Sequence, residues 1–422
     1  MGSREDARRE PFVRAGRALL VLGCLGAGSA RAERLTLGEA LLRAERHNPD
    51  LQVAGADVEI SEGDLLGARK LPYNPEIDAR LGPAFGGGQT FFEYEIGLSQ
   101  TFELGGKRGD RITGADARRG AADARLRWTR TLTTLRVRRA FFLAIVARSR
   151  LETARDAEAV GAELKAAAVD RLSLGSGTQL EVNVGTAAVG RAQAERMAAA
   201  RRYREARVEL AAALGAPPEA DLEPDGRIPS FGTPSSNENS FVVRALGRED
   251  LAALGLERDA AQADLALADA LAVPDVSLGV VYGHDAIDDT SAVLASLSIP
   301  IPLLNRNQGG RAAARGFLGR TTILADAGRR QAERDARAAF RNYTLARDAV
   351  LGFDRDVVEK LGDNLALARE SFRAGKIGLL EFNVVRRDLV DTRIAYLEAL
   401  AQLIDAWFTL EVAGGGAVGV LT

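Results

Sequence analysis

Apolar positions along this chain recur at two periods, and the switches between them divide it into elements. From Leu35 to Ala68 the spacing is helical, with Leu37, Ala40, Leu41 and Ala44 on one face and Thr36 placed as an N-cap. Pro72 and Pro75 interrupt it, and from Glu76 to Phe102 the period drops to two. Ile77, Ala79 and Leu81 share one side; after Gly86-Gly87-Gly88, Phe92, Tyr94, Ile96 and Leu98 do the same. That pattern predicts a strand pair with a glycine-rich connection. Helical spacing returns at Gly106 and holds to about Leu172, with Trp128, Leu132, Leu135, Phe142 and Val146 along its seam. At about 1.5 Å per residue such a helix is roughly 100 Å long, far beyond the ordinary range. A turn follows, then a second helix from Thr178 to about Leu214.

The programme then repeats. Residues 215–240, rich in Pro, Gly and Ser, read as a crossover, and Phe241–Leu271 as a helix. Val276, Leu278, Val280 and Tyr282 alternate along one strand; Val293, Ala295, Leu297 and Ile299 alternate along another, beyond the loop His284–Asp289. A long helix is expected from Asn307 to Phe372, then a turn, then a helix from Leu380 to Val412. Its seam (Val390, Ile394, Leu397, Ala401, Ile404, Phe408) has the alternating steps of four and three that coiled-coil packing requires. Residues 414–422 read as a flexible tail. The repeats are therefore 33–214 and 241–413, each a helix, a strand pair (76–102 and 275–301) and a long helical hairpin. The fold class is mainly α with a small β part.

The two hairpin turns, residues 172–178 and 372–378, match closely. RLSLGSGTQLEV (Arg171–Val182) and FRAGKIGLLEFN (Phe372–Asn383), aligned on Gly175 and Gly375, lie 375 − 175 = 200 residues apart. Leu180 then falls on Leu380, Glu181 on Glu381 and Asn183 on Asn383. A glycine there can end a helix in the left-handed conformation. Thr178 and Glu181 have the spacing of a capping box, whereas Gly378 in the Thr178 position is a weaker cap.

Composition narrows what such a chain can do. A net charge of −2 with 27% charged residues gives no long-range field to recruit nucleic acid. Arg4, Arg8, Arg9, Arg14 and Arg17 precede the apolar run Ala18–Gly28 and the small-x-small motif Ala30-Arg31-Ala32, which predicts an export signal over residues 1–32. An alternative reads Val21-Leu22-Gly23-Cys24 as a lipobox with Cys24 lipidated. Either way no cysteine is left for an internal disulfide. No later segment has the roughly 18 uncharged apolar residues of a membrane-spanning helix.

Alternating strands of about ten residues have the pattern of transmembrane β-strands, and lipid tolerates no open sheet edge. Four strands cannot close a barrel, so a membrane-embedded sheet requires other copies. Two copies give eight strands with a filled interior, and three give twelve with room for a lumen. Long helices with an apolar seam and many charges belong side by side in a wall.

Here the chain resembles the TolC-like outer-membrane efflux proteins, and most of all their heavy-metal (Czc/Cus-type) branch. The resemblance rests on the duplication, on LTLGEAL at Leu35–Leu41, on the two turns, and on LSQTFELGGKR (Leu98–Arg108) and SIPIPLLNRNQGG (Ser298–Gly310). It implies a homotrimer with a 12-stranded transmembrane β-barrel in outer-membrane lipid and a long periplasmic α-barrel. The implied function is the exit duct of a tripartite RND-type pump, partnered by a periplasmic adaptor (membrane fusion protein) and an inner-membrane pump. Carried over, Gly175, Ser176, Gly177, Leu180, Gly375, Lys376 and Leu380 are the adaptor-docking tips. Glu381 is the candidate acidic constriction, with Val384 where relatives place a second acid; Arg386, Arg387 and Asp388 are candidate gate links. Other readings are the duct of a type I secretion or drug-efflux system, or a non-pore periplasmic coiled-coil scaffold.

No enzyme or cofactor chemistry is expected. His47 and His284 are isolated, as are Met1 and Met197, so no soft-metal cluster is formed. The glycines and lysine at Gly105–Asp110 lack P-loop spacing, and no nucleophile–base arrangement stands out.

Overall fold

The computed structural model describes residues 33–86, 88–217, 219–285, 290–353, 360–374 and 376–419. The expected export signal with Cys24, the tip residue Gly375, the centre of the loop after His284 and the last three residues lie outside them.

A three-residue strand, β1 (Glu33–Leu35), leads into α1 (Leu37–His47). Thr36 caps α1 in a reciprocal box, its N–H donating to the Glu39 carboxylate at 2.8 Å. The periodicity predicts one helix to Ala68, but Asn48 and Pro49 divide it. Asn48 ends α1 and caps α2 (Pro49–Arg69): its side chain accepts from the Leu51 N–H and donates to the Ala213 carbonyl at 3.1 Å. Pro49, without an N–H, suits the first helical position. The second repeat breaks at the corresponding place, where Gly247 and Arg248 separate α5 (Glu238–Ala245) from α6 (Glu249–Ala270).

The first hairpin is α3 (Lys107–Ser173), 67 residues and so about 100 Å long, and α4 (Gln179–Ala213). Its partner is not the single ascending helix expected over 307–372. Instead α7 (Gln308–Leu351) stops at a Gly352 cap and α8 (Leu361–Arg373) follows, before α9 (Leu379–Ala413) returns. Glycine is among the poorest helix formers, and here it marks the break. The crossover holds a short strand that periodicity could not reveal, β4 (Leu222–Pro224), paired in parallel with β1.

The four predicted strands are β2 (Glu76–Gly86), β3 (Gln89–Phe102), β5 (Val276–Asp285) and β6 (Thr290–Ser298). They form one antiparallel sheet in the order β2-β3-β5-β6, so the repeats meet at β3–β5 and the outer edges of β2 and β6 have no neighbour among the described residues. A knot across the repeats fixes where strands give way to helices. Asp275 accepts from Tyr73 at 2.9 Å, from the Leu104 N–H, and from Lys107 at 2.5 Å, with Lys107 only 4% exposed. At the second re-entry Asn307 takes a left-handed backbone (φ 58°) and its side chain donates to the Ala268 carbonyl at 2.8 Å.

The main core sits midway along the helices, around Phe141, Phe142, Phe241, Tyr343, Leu403, Ile404 and Trp407. Of the predicted α3 seam, Leu135, Phe142 and Val146 are buried and Trp128 and Leu132 half-buried. On α9 the seam is rotated: Leu397 and Ile404 are buried as expected, but Leu400, Leu403, Trp407 and Leu410 are buried too, leaving Phe408 partly exposed. The Trp407 ring meets Phe142 edge-on at 6.0 Å, which is why it takes the central position. The segment read as a flexible tail is packed over Gly414–Gly419. Val418 is buried, its N–H donates to Glu411 at 2.9 Å, and Arg244 donates to the carbonyls of Gly414 and Ala417.

Candidate functional site

Two regions carry the candidate function: the hairpin turns at one end of the long helices and the sheet at the other. At the first turn Gly175 is left-handed (φ 69°), and the N–H groups of Gly175 and Ser176 donate to the carbonyls of Leu172 and Arg171 at 3.0 and 2.9 Å. This is the double closure of a Schellman ending. Thr178 and Glu181 then form the predicted capping box. Gly177 is demanded by space: a Cβ there would lie 2.9 Å from the Leu172 nitrogen. Leu180 is 63% exposed. At the second turn the Lys376 N–H donates to the Ser371 carbonyl at 2.9 Å, the same bond 200 positions on (376 − 176 = 200). Gly378 caps α9 without a side-chain bond, and Leu380 is exposed.

A small core joins the two hairpins just behind these turns: Val160, Leu164 and Ala168 of α3 against Leu379 and Phe382 of α9, with Phe372 stacked on Phe382 at 5.4 Å. Glu381 points out of this core and is exposed. Unlike Glu181 it has no cap partner, because Gly378 has no side chain to answer it.

The three gate candidates separate. Arg387 is exposed and lies 3.5 Å from Asp391 on its own helix, and Asp388 is exposed. Arg386, by contrast, is buried within the protomer, 8% exposed. Its guanidinium donates to the Ala157 carbonyl of α3 at 3.1 Å and to Asn383 at 3.1 Å. Burial pulls its pKa below the usual guanidinium value, although Glu195 and Asp391 act the other way. No local pattern distinguishes it from Arg387. Only the face of α9 turned to α3 does.

The sheet has two unlike faces. Directly opposed residues share a face in an antiparallel pair, so the register gives rows. Ile77, Leu98, Val280 and Ala295 form one, and Ala79, Ile96, Tyr282 and Val293 the next. The large side chains of these rows are solvent-exposed, Ile77 at 75% and Val293 at 69%. Tyr94 and His284 continue that face, their rings 5.5 Å apart. The other face has the row Glu76, Ser99, Gly279, Ser296 and the row Arg80, Glu95, Gly283, Ala292, with an Arg80–Glu95 ion pair at 3.1 Å. Val281 and Leu294 also lie on this face, as do the small apolar Ala84 and Ala292.

Among the described residues no helix is long and apolar enough to cross a membrane, and no group of three or more His, Cys, Asp or Glu could hold a metal ion.

Comparison with known proteins places this architecture. Over 378 residues the chain is 25% identical to the cobalt-zinc-cadmium resistance protein CzcC of Cupriavidus metallidurans, covering 89% of each. It is 26% identical over 414 residues to the nickel-cobalt-cadmium resistance protein NccC of Alcaligenes xylosoxydans xylosoxydans, covering 94% of this chain and 91% of that one. The solved structure of CusC, described in terms of transmembrane channel formation, superposes with a TM-score of 0.73 at 18% identity, covering 90% of this chain and 92% of the other. The model of the outer membrane efflux protein family matches residues 40–216 and 244–416, and the chain belongs to that family of outer-membrane efflux channels.

Proposed function

We propose that this channel protein works as a homotrimer, the exit duct of a tripartite RND-type pump, conducting heavy-metal cations passively from pump and adaptor to the exterior. One observation carries the reading: a four-stranded sheet with an exposed apolar face, a polar face behind it, and two edge strands without neighbours. Lipid accepts the apolar face but not the open edges. Each protomer's sheet starts and ends at its helical end, so β6 of one copy meets β2 of the next antiparallel, and copies close into a ring. Three copies give twelve strands around a lumen lined by the polar face. A non-pore scaffold leaves that exposed apolar face unexplained.

The cargo follows from two further points. The resistance proteins CzcC and NccC share most of their length with this chain and are named for divalent metals. Glu381 is an exposed carboxylate in the first turn of α9, and three copies around an axis make an anionic ring, the usual device of a cation pore. The tips, with Gly175, Ser176, Gly177, Leu180, Gly375, Lys376 and Leu380, meet the adaptor. Their glycines bring backbone close to a partner, and Leu180 and Leu380 supply exposed apolar contacts.

The reading is tested on the full-length protein expressed with its export signal. It is expected in the outer-membrane fraction, migrating as a trimer when unheated; a periplasmic monomer overturns the duct. In planar bilayers Glu381→Gln is expected to lower the cation-to-anion permeability ratio, and an unchanged ratio removes the ring.

A further inference from the structure

The seam between α3 and α9 is held differently at its two ends. Near the main core it is laced by ion pairs: Arg139 to Asp405 at 2.6 Å and Arg150 to Glu398 at 2.7 Å, each acid about half exposed. The next rung toward the tip is Arg386 on the Ala157 carbonyl, and no carboxylate among the described residues completes it. Its Nη2 turns back to Asn383 on its own helix, and its Nε is buried without a partner. Beyond it lies the small tip core of Val160, Leu164, Ala168, Leu379 and Phe382.

A desolvated guanidinium held by one carbonyl and one amide is poorly compensated, and neutral acceptors offset only part of its lost hydration. Arg386 also lines an open groove of about 330 Å³ between α4 and α9, walled by Ala187, Ala188 and Val384. Glu195 on α4 and Asp391, five residues further along α9, line the same groove, and Arg191 on α4 repels, but none bonds to Arg386. A small outward shift of α9 would hydrate the charge and free the side chain to turn toward either acid. Keeping α9 against α3 keeps the charge buried.

We propose that Arg386 is a positioning residue that biases the tip half of α9 to part from α3, so that this buried charge, rather than a bond across the seam, sets how readily the hairpin end of the duct opens. It touches no cargo and acts through the helix that carries Glu381. The part played in opening rests on the duct reading, whereas the seam energetics do not, and the experiment separates them.

The test is hydrogen exchange, followed by mass spectrometry, on peptides spanning residues 379–390 in the purified, detergent-solubilised protein. Arg386→Met keeps the stem and removes the charge. It is expected to slow exchange in these peptides roughly tenfold, as when a buried unpaired charge is replaced by an apolar isostere, and to lower single-channel open time. Arg386→Lys keeps the charge and loses the fork of hydrogen bonds, and is expected to exchange at least as fast as the wild type. Faster or unchanged exchange in Arg386→Met makes the residue a clamp and overturns the proposal. Should that variant fail to assemble, Ala188→Glu reads the same prediction by adding a carboxylate to the groove: slower exchange supports it, and unchanged or faster exchange overturns it. Slower exchange without any channel activity in the wild type would leave the seam argument standing and sink the duct.

Discussion

Glu411 is 2% exposed at the end of α9, where one carboxylate oxygen accepts from Val418 and the other is buried without a partner. Burial raises its pKa above the ordinary 4.5; the Val418 bond and the attraction of Arg138 and Arg244 offset this only in part. An acid with a raised folded pKa binds more protons folded than unfolded between the two values, so its contribution to stability falls as pH rises through that window. Glu411→Gln removes the titration. Its unfolding midpoint is therefore expected to stand higher relative to wild type at pH 8 than at pH 4, by the equivalent of about 1–3 kcal/mol for an uncompensated buried group. Thermal melts of both proteins across that range check it, and parallel pH profiles would refute it. Glu39 and Glu238, whose pKa values are lowered, slope the other way in both proteins and cancel. At this scale the turns were legible because cap chemistry is local: Gly175, Thr178 and Glu181 do what their types and spacing require. Glu411 and Arg386 were not, since both look like surface charges until a partner helix covers them.

Among the elements, α3 shows what the abundant arginine does. Toward α6 it offers Arg118 to Asp264 and Arg125 to Glu257, steps of seven on each helix in opposite directions. Toward α1 and α2 it offers Arg130 to Glu45 at 3.0 Å and Arg136 to Asp50 at 3.2 Å. Exposed pairs of this kind are each worth about 0.2–1 kcal/mol, so their repetition sets helix register more than stability. The pairing of these arginines with acids on other helices was hidden in the sequence because each partner lies 85 to 146 residues away. The long period-3.6 stretches were legible, but their interruptions at Asn48-Pro49 and Gly352 were overrun by a pattern that continues through them. The 200-residue frame extends further than the tips. Ala216 donates to the Ala211 carbonyl at 2.9 Å and Gly416 to the Glu411 carbonyl at 2.8 Å, so both descending helices end in the same closure. Gly215 is fixed there by packing as well: a Cβ would lie 2.3 Å from the His47 carbonyl.

For the whole molecule the decisive quantity is which way each strand residue faces, and alternation gave that correctly because a strand's period is two whatever surrounds it. What surrounds the sheet sets the cost of change. Ile96 lies mid-strand on the apolar face, in the row with Ala79, Tyr282 and Val293, and is 50% exposed in the protomer. Ala292 lies on the polar face beside Gly283 and Glu95. In a water-soluble sheet both positions would accept a cation equally. In a barrel a cation on the lipid face costs about 2–4 kcal/mol near the bilayer midplane, repeated in every protomer, while the same charge in the lumen keeps its water. Ile96→Arg is thus expected to abolish the heat-modifiable trimer and leave protein in the periplasmic or aggregated fraction. Ala292→Lys is expected to assemble normally and change only conductance or ion preference. Unheated gels of outer-membrane fractions distinguish the two, and equal assembly of both variants would mean that the apolar face does not meet lipid.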